Sequence, residues 1–110
     1  MSDQAARIMP VVVVLPAEID VTNSEQVHNL LVAAMAPGVD TVVADMSATS
    51  FCDSSGVHAI MFAHEAAVAR GIKLRLAVSP GGSVRRVLQL IGAGRILSVY
   101  SSLAEAMDAA

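Results

Sequence analysis

Runs of β-branched residues alternate with stretches of helical spacing along the whole chain, and the links between them are short. Val11-Val12-Val13-Val14-Leu15 extends a first strand read from Arg7 to Leu15. A continuous apolar run of that length is too short for an independent helix and suits a strand buried on both faces. Thr22-x-x-Glu25 has the pattern of a capping box, in which the Thr oxygen takes a first-turn amide and the Glu reaches back. Val27, Leu30, Leu31 and Ala34 then recur at helical spacing until Pro37-Gly38 stops the helix. The second strand is Thr41 to Met46. After Ser50-Phe51-Cys52-Asp53 a second helix follows, with Val57, Ile60, Met61, Ala67 and Val68 as its apolar stripe and Gly71 as its C-terminal cap. Ile72 to Val78 alternates strictly, which predicts a third strand with one more exposed face. Ser79-Pro80-Gly81-Gly82 turns into a helix carrying Val84, Val87, Leu88 and Ile91. A short strand, Ile96 to Val99, leads to a last helix that opens on a second capping box, Ser102-x-x-Glu105, and buries Leu103, Ala106 and Met107.

The order β-α-β-α-β-α-β-α means a mainly parallel sheet, because each helix is the crossover between parallel neighbours. The expected fold is α/β, one domain over residues 1–110, with no linker, repeat or low-complexity tract. The length of 110 residues supports this. Two domains of half that size would each bury too little apolar surface without disulfides or metals, and the single cysteine, Cys52, cannot form an intrachain disulfide.

Charge and composition exclude several functions. Seven Lys and Arg against ten Asp and Glu give a net charge of −3, so the surface on average repels a polyphosphate. Aromatics are 3% of residues, which leaves no stacking platform for single-stranded nucleic acid. The hydrophobic fraction is 55%, yet the longest stretch without Lys, Arg, Asp or Glu is Gln26 to Val39, and it contains His28, Asn29 and Pro37. A membrane span needs roughly 20 predominantly apolar residues. Met1 to Arg7 lacks the basic-then-apolar order of a secretory leader. The expectation is a soluble, cytoplasmic protein without nucleic-acid or membrane partners.

In an open parallel sheet, function concentrates where strands end and helices begin. Those positions carry Glu18-Ile19-Asp20, Asp45-Met46-Ser47 and Cys52-Asp53-Ser54-Ser55-Gly56. The last of these has several readings. As a plain helix cap, Asp53 and the serines accept orphan first-turn amides and Gly56 allows close packing. As a nucleophile elbow it nearly fits G-x-S-x-G, with Cys52 in place of the first Gly. That reading fails on order: no Asp or Glu lies between Ser54 and His64, and both His58 and His64 sit on the helix that the serine opens. Metal binding is also opposed. His58 and His64 are six residues apart, not the four that stacks two ligands on one helix face. A pocket of Asp20, Asp45 and Asp53 would resemble a phospho-aspartate receiver, but Lys73 begins its strand where a receiver needs a Lys at a strand's end. Gly81-Gly82 lacks the Lys-Ser/Thr of a P-loop. No catalytic residue, metal or cofactor is expected. The remaining reading is a phosphoacceptor: at a helix N-terminus the free amides and dipole favour an added anion, so the fold tolerates a phosphate that changes local charge by about −1.5 to −2.

Val42-Val43-Ala44-Asp45-Met46-Ser47, Phe51-Cys52-Asp53-Ser54-Ser55-Gly56-Val57 and Arg70-Gly71-Ile72-Lys73-Leu74-Arg75-Leu76-Ala77 together resemble the STAS domain of bacterial anti-sigma factor antagonists. Val84 to Gly92 and Ser102-Leu103-Ala104-Glu105-Ala106 continue the likeness, and Ala17-Glu18-Ile19-Asp20 is similar to the family's Gly-Glu-Leu/Ile-Asp signature with Ala17 replacing Gly. The resemblance spans about residues 10 to 110.

The resemblance implies a STAS-like domain with a mainly parallel, in the family mixed, sheet of four to five strands and about four helices. It also implies a partner, an anti-sigma factor that is itself a serine/threonine kinase and phosphorylates Ser54. The unphosphorylated form would hold the anti-sigma factor and free the sigma factor, phosphorylation would release it, and a PP2C-type phosphatase would reset the switch. By the same resemblance Asp20, Asp53, Ser54, Ser55 and Gly56 form the partner-binding surface, and ATP and Mg²⁺ belong to the kinase. The alternative is a STAS module that serves only as scaffold, in a signalling assembly or a lipid-transporter complex. Two departures stand out. Family members carry a longer N-terminal segment whose strand pairs at the sheet edge, where this chain has only Met1 to Met9 before Pro10. His58, four residues after Ser54 and so on its helix face, is placed either to soften a phosphate's charge or simply to face solvent.

Overall fold

The computed structural model describes residues 9–109, and every strand pair in it is parallel. The expected start of the first strand at Arg7 and the reading of Met1 to Arg7 lie outside the described residues. Four strands, β1 (Val11–Val14), β3 (Thr41–Met46), β5 (Lys73–Val78) and β6 (Ser98–Tyr100), form one sheet in the order β1-β3-β5-β6. Between β1 and β3 lie the two-residue strand β2 (Glu18–Ile19) and helix α1 (Ser24–Ala33). Between β3 and β5 lie the two-residue strand β4 (Phe51–Cys52) and helix α2 (Ser54–Ala69). Helix α3 (Ser83–Ile91) and a 3₁₀ turn at Ala93–Arg95 connect β5 to β6, and α4 (Leu103–Asp108) closes the domain. Among the described residues no helix is long and apolar enough to cross a membrane.

Successive strands step one place at a time in one direction across the sheet, so the right-handed crossover rule puts α1, α2 and α3 on the same face. The main core lies there. Ile19, Val27, Leu31, Val42, Ala44, Met46, Val57, Ile60 and Leu76 are fully buried together. Each large aliphatic side chain removed from water in this way contributes about 1.5–3 kcal/mol before ordering costs are subtracted. The opposite face is smaller, with Val43, Ala77 and Ala106 packed with Val12, Tyr100, Leu103 and Met107 under α4.

The strict alternation of β5 does not produce an exposed face. All of its residues except Lys73 are buried, Arg75 included, because α4 lies over the polar side of the strand and the Arg75 Nη1 donates to the Ala106 carbonyl at 3.1 Å. Pairing aligns Val12, Val43 and Arg75 in one row across the sheet. The guanidinium therefore reaches the short helix from the middle of an otherwise apolar layer.

Two helix starts differ from the sequence pattern. The Thr22–Glu25 box does not form: the Thr22 amide and hydroxyl both donate to Asp20 Oδ1, at 2.9 and 2.5 Å, and α1 begins only at Ser24. The Ser102–Glu105 box does form on one side, with the Glu105 amide donating to Ser102 Oγ at 3.1 Å. The Glu105 carboxylate reaches one residue further back, to the Ser101 amide. The apolar stripe of α2 is rotated from expectation. Val57, Ile60 and Ala67 are buried and Met61 is partly so, but Val68 is 64% exposed and Ala59 and Ala63 take the inward positions. Gly71 does follow the end of α2 in the left-handed region, φ 68°, as a helix stop requires. The last strand starts two residues later than read, because Ala93 to Leu97 is drawn into the 3₁₀ turn by the Ile96 and Leu97 amides donating to Ala93.

Candidate functional site

Two residues of parallel ladder decide what the sheet's C-terminal edge looks like. Glu18 pairs with Phe51 and Ile19 with Cys52. The ladder is extended by the Asp53 amide, which donates to the Ile19 carbonyl at 3.1 Å, and by the Ser50 and Phe51 amides, which donate to Ala17. The chain leaving β2 toward α1 and the chain leaving β4 toward α2 are thereby held side by side. Asp20 and the Asp53-Ser54-Ser55 turn, far apart in sequence, share one edge of the molecule. No periodicity signals strands this short.

Both turns are built by an aspartate that binds the residue two positions on. Asp20 Oδ1 takes the Thr22 amide and hydroxyl, while Asn23 Oδ1 takes the Asp20 amide and Asn23 Nδ2 donates to the Glu18 carbonyl at 2.8 Å. Asp53 is the N-cap of α2: its Oδ1 accepts the Ser55 amide at 2.9 Å, the Ser55 hydroxyl at 2.5 Å and the Gly56 amide at 3.2 Å. The Ser55 hydroxyl is the main reason that the Asp53 carboxyl is held below the usual carboxylate range. The amides of Gly56 and Ser55 act in the same sense and partial desolvation opposes them. A third turn of the same kind closes β3, where Asp45 Oδ1 takes the Ser47 amide at 3.0 Å and the Ser47 hydroxyl. Each of the three carboxylates is thus occupied by its own turn, and among the described residues no cluster of three metal-ligating side chains forms.

The two serines of the turn have different surroundings. Ser55 is half-buried and bonded to Asp53. Ser54, the first residue of α2, is exposed, and among the described residues no hydrogen bond engages its hydroxyl. The sequence pattern separated them only through a resemblance; the structure separates them by exposure and bonding.

Gly56 was expected on the contact surface, and the structure puts it inside. It is buried, and a Cβ built there would lie 2.6 Å from Cys52 Sγ and 2.7 Å from Ile19 Cγ2. Its lack of a side chain lets α2 settle onto the β2–β4 ladder. Cys52 is buried beneath it, and burial, aided by the neighbouring Asp53 charge, pushes its thiol up to about 11. The thiol is therefore protonated and inert at neutral pH.

One feature escaped the sequence reading. A groove of about 720 Å³ runs between α1 and α2. Ser55 stands at its Ser54 end, and Glu25, His28, His58, Phe62 and Glu65 contribute to its walls. Phe62 is 60% exposed and Phe51 is 48% exposed, so both phenylalanines of this aromatic-poor chain face solvent. A trace exists in the sequence: Ser24-Glu25-Gln26-Val27-His28 and Ser54-Ser55-Gly56-Val57-His58 share serine, valine and histidine at the same spacing. In both, the valine is buried and the histidine enters the groove. His64 lies elsewhere, half-buried, with its Nδ1 buried and without a hydrogen-bond partner.

Comparison with known proteins places this arrangement in context. The family model described as the STAS domain matches residues 3–106. Among solved structures, an anti-sigma-factor antagonist (STAS) domain protein from Planctomyces limnophilus superposes with a TM-score of 0.75 at 24% identity, covering 91% of this chain and 88% of that one. A Thermotoga maritima protein described as a candidate anti-sigma factor antagonist gives a TM-score of 0.74 at 22% identity over 96% of both chains. The anti-sigma factor antagonist SpoIIAA, in its unphosphorylated form, gives 0.64 at 24% identity, covering 89% and 84%. No curated protein sequence matches the chain.

Proposed function

The chain belongs to the STAS-domain family, and from that premise we propose that it is an anti-sigma factor antagonist whose binding is switched by phosphorylation of Ser54. The observation that carries the reading is the difference between the two serines: Ser54 offers an exposed, unbonded hydroxyl at the start of α2, while Ser55 is tied to Asp53. The solved relatives described as anti-sigma factor antagonists share this fold, which supports the same class of partner.

In this reading an anti-sigma factor with serine/threonine kinase activity docks on the edge that carries Asp20, Asp53, Ser54 and Ser55, with Gly56 acting from beneath by holding α2 down. The kinase transfers a phosphoryl group to Ser54 Oγ. The product adds about −1.5 to −2 of charge to a surface that already carries Asp20 and the Asp53 carboxylate. The first-turn amides of α2 accommodate that charge within the domain, so the fold persists, while a docking face fitted to a neutral hydroxyl loses its complement. The partner leaves, and a PP2C-type phosphatase restores the hydroxyl. His58, on the Ser54 face of α2, is exposed beside the switch.

Incubation with ATP and each anti-sigma kinase of the same genome, followed by intact-mass measurement and site mapping, tests the proposal. One phosphate on Ser54, accompanied by loss of the complex, is the expected result. Neither complex nor phosphate with any of those kinases would assign the chain to the scaffold role instead.

A further inference from the structure

Charge is partitioned along this chain. Between Met9 and Ala69 every Lys, Arg, Asp or Glu is a carboxylate, and apart from Arg7 every Lys and Arg falls at Arg70 or later. Two patches of opposite sign each pair their charge with exposed apolar side chains, although elsewhere the signs mix, as where Arg85 and Glu105 both bond Ser101. In the α1–α2 groove, Glu25 and Glu65 accompany Phe62. At the end of α3 and the 3₁₀ turn after it, Leu90 is 76% and Ile96 51% exposed. Arg86 precedes Leu90 by one helical turn and Arg95 is adjacent to Ile96, and both arginines are exposed. Among the described residues none of these four charges has an ion-pair partner. Apolar side chains left in water inside a charged rim mark surfaces that bind something. Here one molecule carries two such surfaces, an acidic groove between α1 and α2 and a basic end of α3.

We propose that the α1–α2 groove receives the α3 end of a second copy of this chain. Leu90 and Ile96 of one copy pack against Phe62 of the next, and Arg86 and Arg95 face Glu25 and Glu65. The contact joins two different patches, so it is head-to-tail: a copy whose groove is filled still offers its own α3 end, and assembly continues with concentration unless the rotation closes a ring. Because Ser55 also lines the groove, a seated copy covers the start of α2 and competes there with any other protein. The inference is independent of whether Ser54 is phosphorylated.

A charge swap between copies tests it. Two variants of the full chain are needed, Glu25→Lys with Glu65→Lys, and Arg86→Glu with Arg95→Glu. Each is followed by sedimentation velocity over a concentration series at low and high salt, with circular dichroism as the fold control. The wild type should associate as concentration rises and dissociate as salt rises. Each variant alone should associate at least about tenfold more weakly, since its groove and its α3 end now carry the same sign. An equimolar mixture should recover association, because every contact between unlike variants pairs opposite charges. A wild type that stays monomeric throughout at low salt overturns the proposal and leaves the groove to a different basic protein. So does a variant that associates as well as the wild type, or a mixture of folded variants that fails to recover.

Discussion

Ser55 donates its hydroxyl to the Asp53 carboxylate at 2.5 Å, and Ser54 beside it donates to nothing among the described residues. Substitution of the two should therefore diverge. Ser54→Ala removes an exposed hydroxyl, and thermal melting should barely change. Ser55→Ala breaks a bond within the cap and should give the larger loss of stability. With the cognate kinase, Ser54→Ala should stay unphosphorylated and bind constitutively. Phosphate mapped to Ser55 in that variant would refute the assignment.

Asp20 has a structural duty in the turn before α1, and asparagine can perform it. The Asn side-chain oxygen can still accept the Thr22 amide and hydroxyl that Asp20 Oδ1 accepts. Asp20→Asn should leave the melting temperature unchanged and weaken anti-sigma binding by removing one charge from the docking edge. Intact binding together with a lowered melting temperature would confine Asp20 to the turn.

Gly56→Ala should destabilise the domain by about 1–3 kcal/mol through overpacking, despite alanine's better helix propensity. The new methyl would meet Cys52 and Ile19, both buried core residues rather than the loose ends of long side chains. Urea unfolding of Gly56→Ala against wild type measures the difference. A neutral result would mean that α2 can lift from the β2–β4 ladder without loss.

The two perturbed groups set opposite pH limits. Asp53 titrates lower in the folded chain than in the unfolded one, so its contribution is complete above the unfolded value, about 3.9, and is lost as pH falls through the folded value. Cys52 is raised to about 11, so its contribution is complete below the unfolded thiol value and is lost as pH rises toward 11. Asp53→Asn should flatten the acid side of a stability–pH profile and, by removing the smaller of the two causes that raise the Cys52 thiol, slightly lessen the loss on the alkaline side. Cys52→Ala should flatten only the alkaline side. A disulfide reagent at mildly alkaline pH should modify the wild-type thiol only as fast as the domain opens.

Arg75→Ala should destabilise by about 1.5–3 kcal/mol, because it strips the Ala106 carbonyl of a charged donor and opens the layer under α4. Amide exchange should show the loss concentrated in α4 and along β5. Uniform exchange across all four helices would argue that Arg75 acts on the whole domain.

The main strands and helices could be read from the sequence because each carries its own period or its own cap: the valine run of β1, the Asp53 cap, the glycine after α2. What failed were features set by other parts of the chain. Arg75 looked solvent-facing because nothing in Ile72 to Val78 announces that α4 will cover it. Thr22 matched a capping box, but its hydroxyl went to Asp20, and Asn23, in the N-cap position, is held by β2. The inward turn of Gly56 depends on Cys52 and Ile19, one from each strand of a ladder too short to have a period. The serine turn was readable as a helix start; that Ser54 and Ser55 differ in bonding was not, since their residue type is the same.

The turn that displays Ser54 is assembled from three distant parts of the chain. Ala17 and Ile19 receive its incoming amides, Thr49 Oγ1 donates to the Pro16 carbonyl, and Ser83 Oγ donates to the Ser50 carbonyl. The Ser83 contact is missing from a nascent chain that ends before Ser83, and the contacts to Pro16, Ala17 and Ile19 are lost where the first strand and the segment after it have detached. A partner that demands this turn thereby inspects the whole domain through a few atoms. Under the proposed function, truncated or partly melted copies would fail that inspection, and the output would follow the amount of intact protein rather than the amount synthesised.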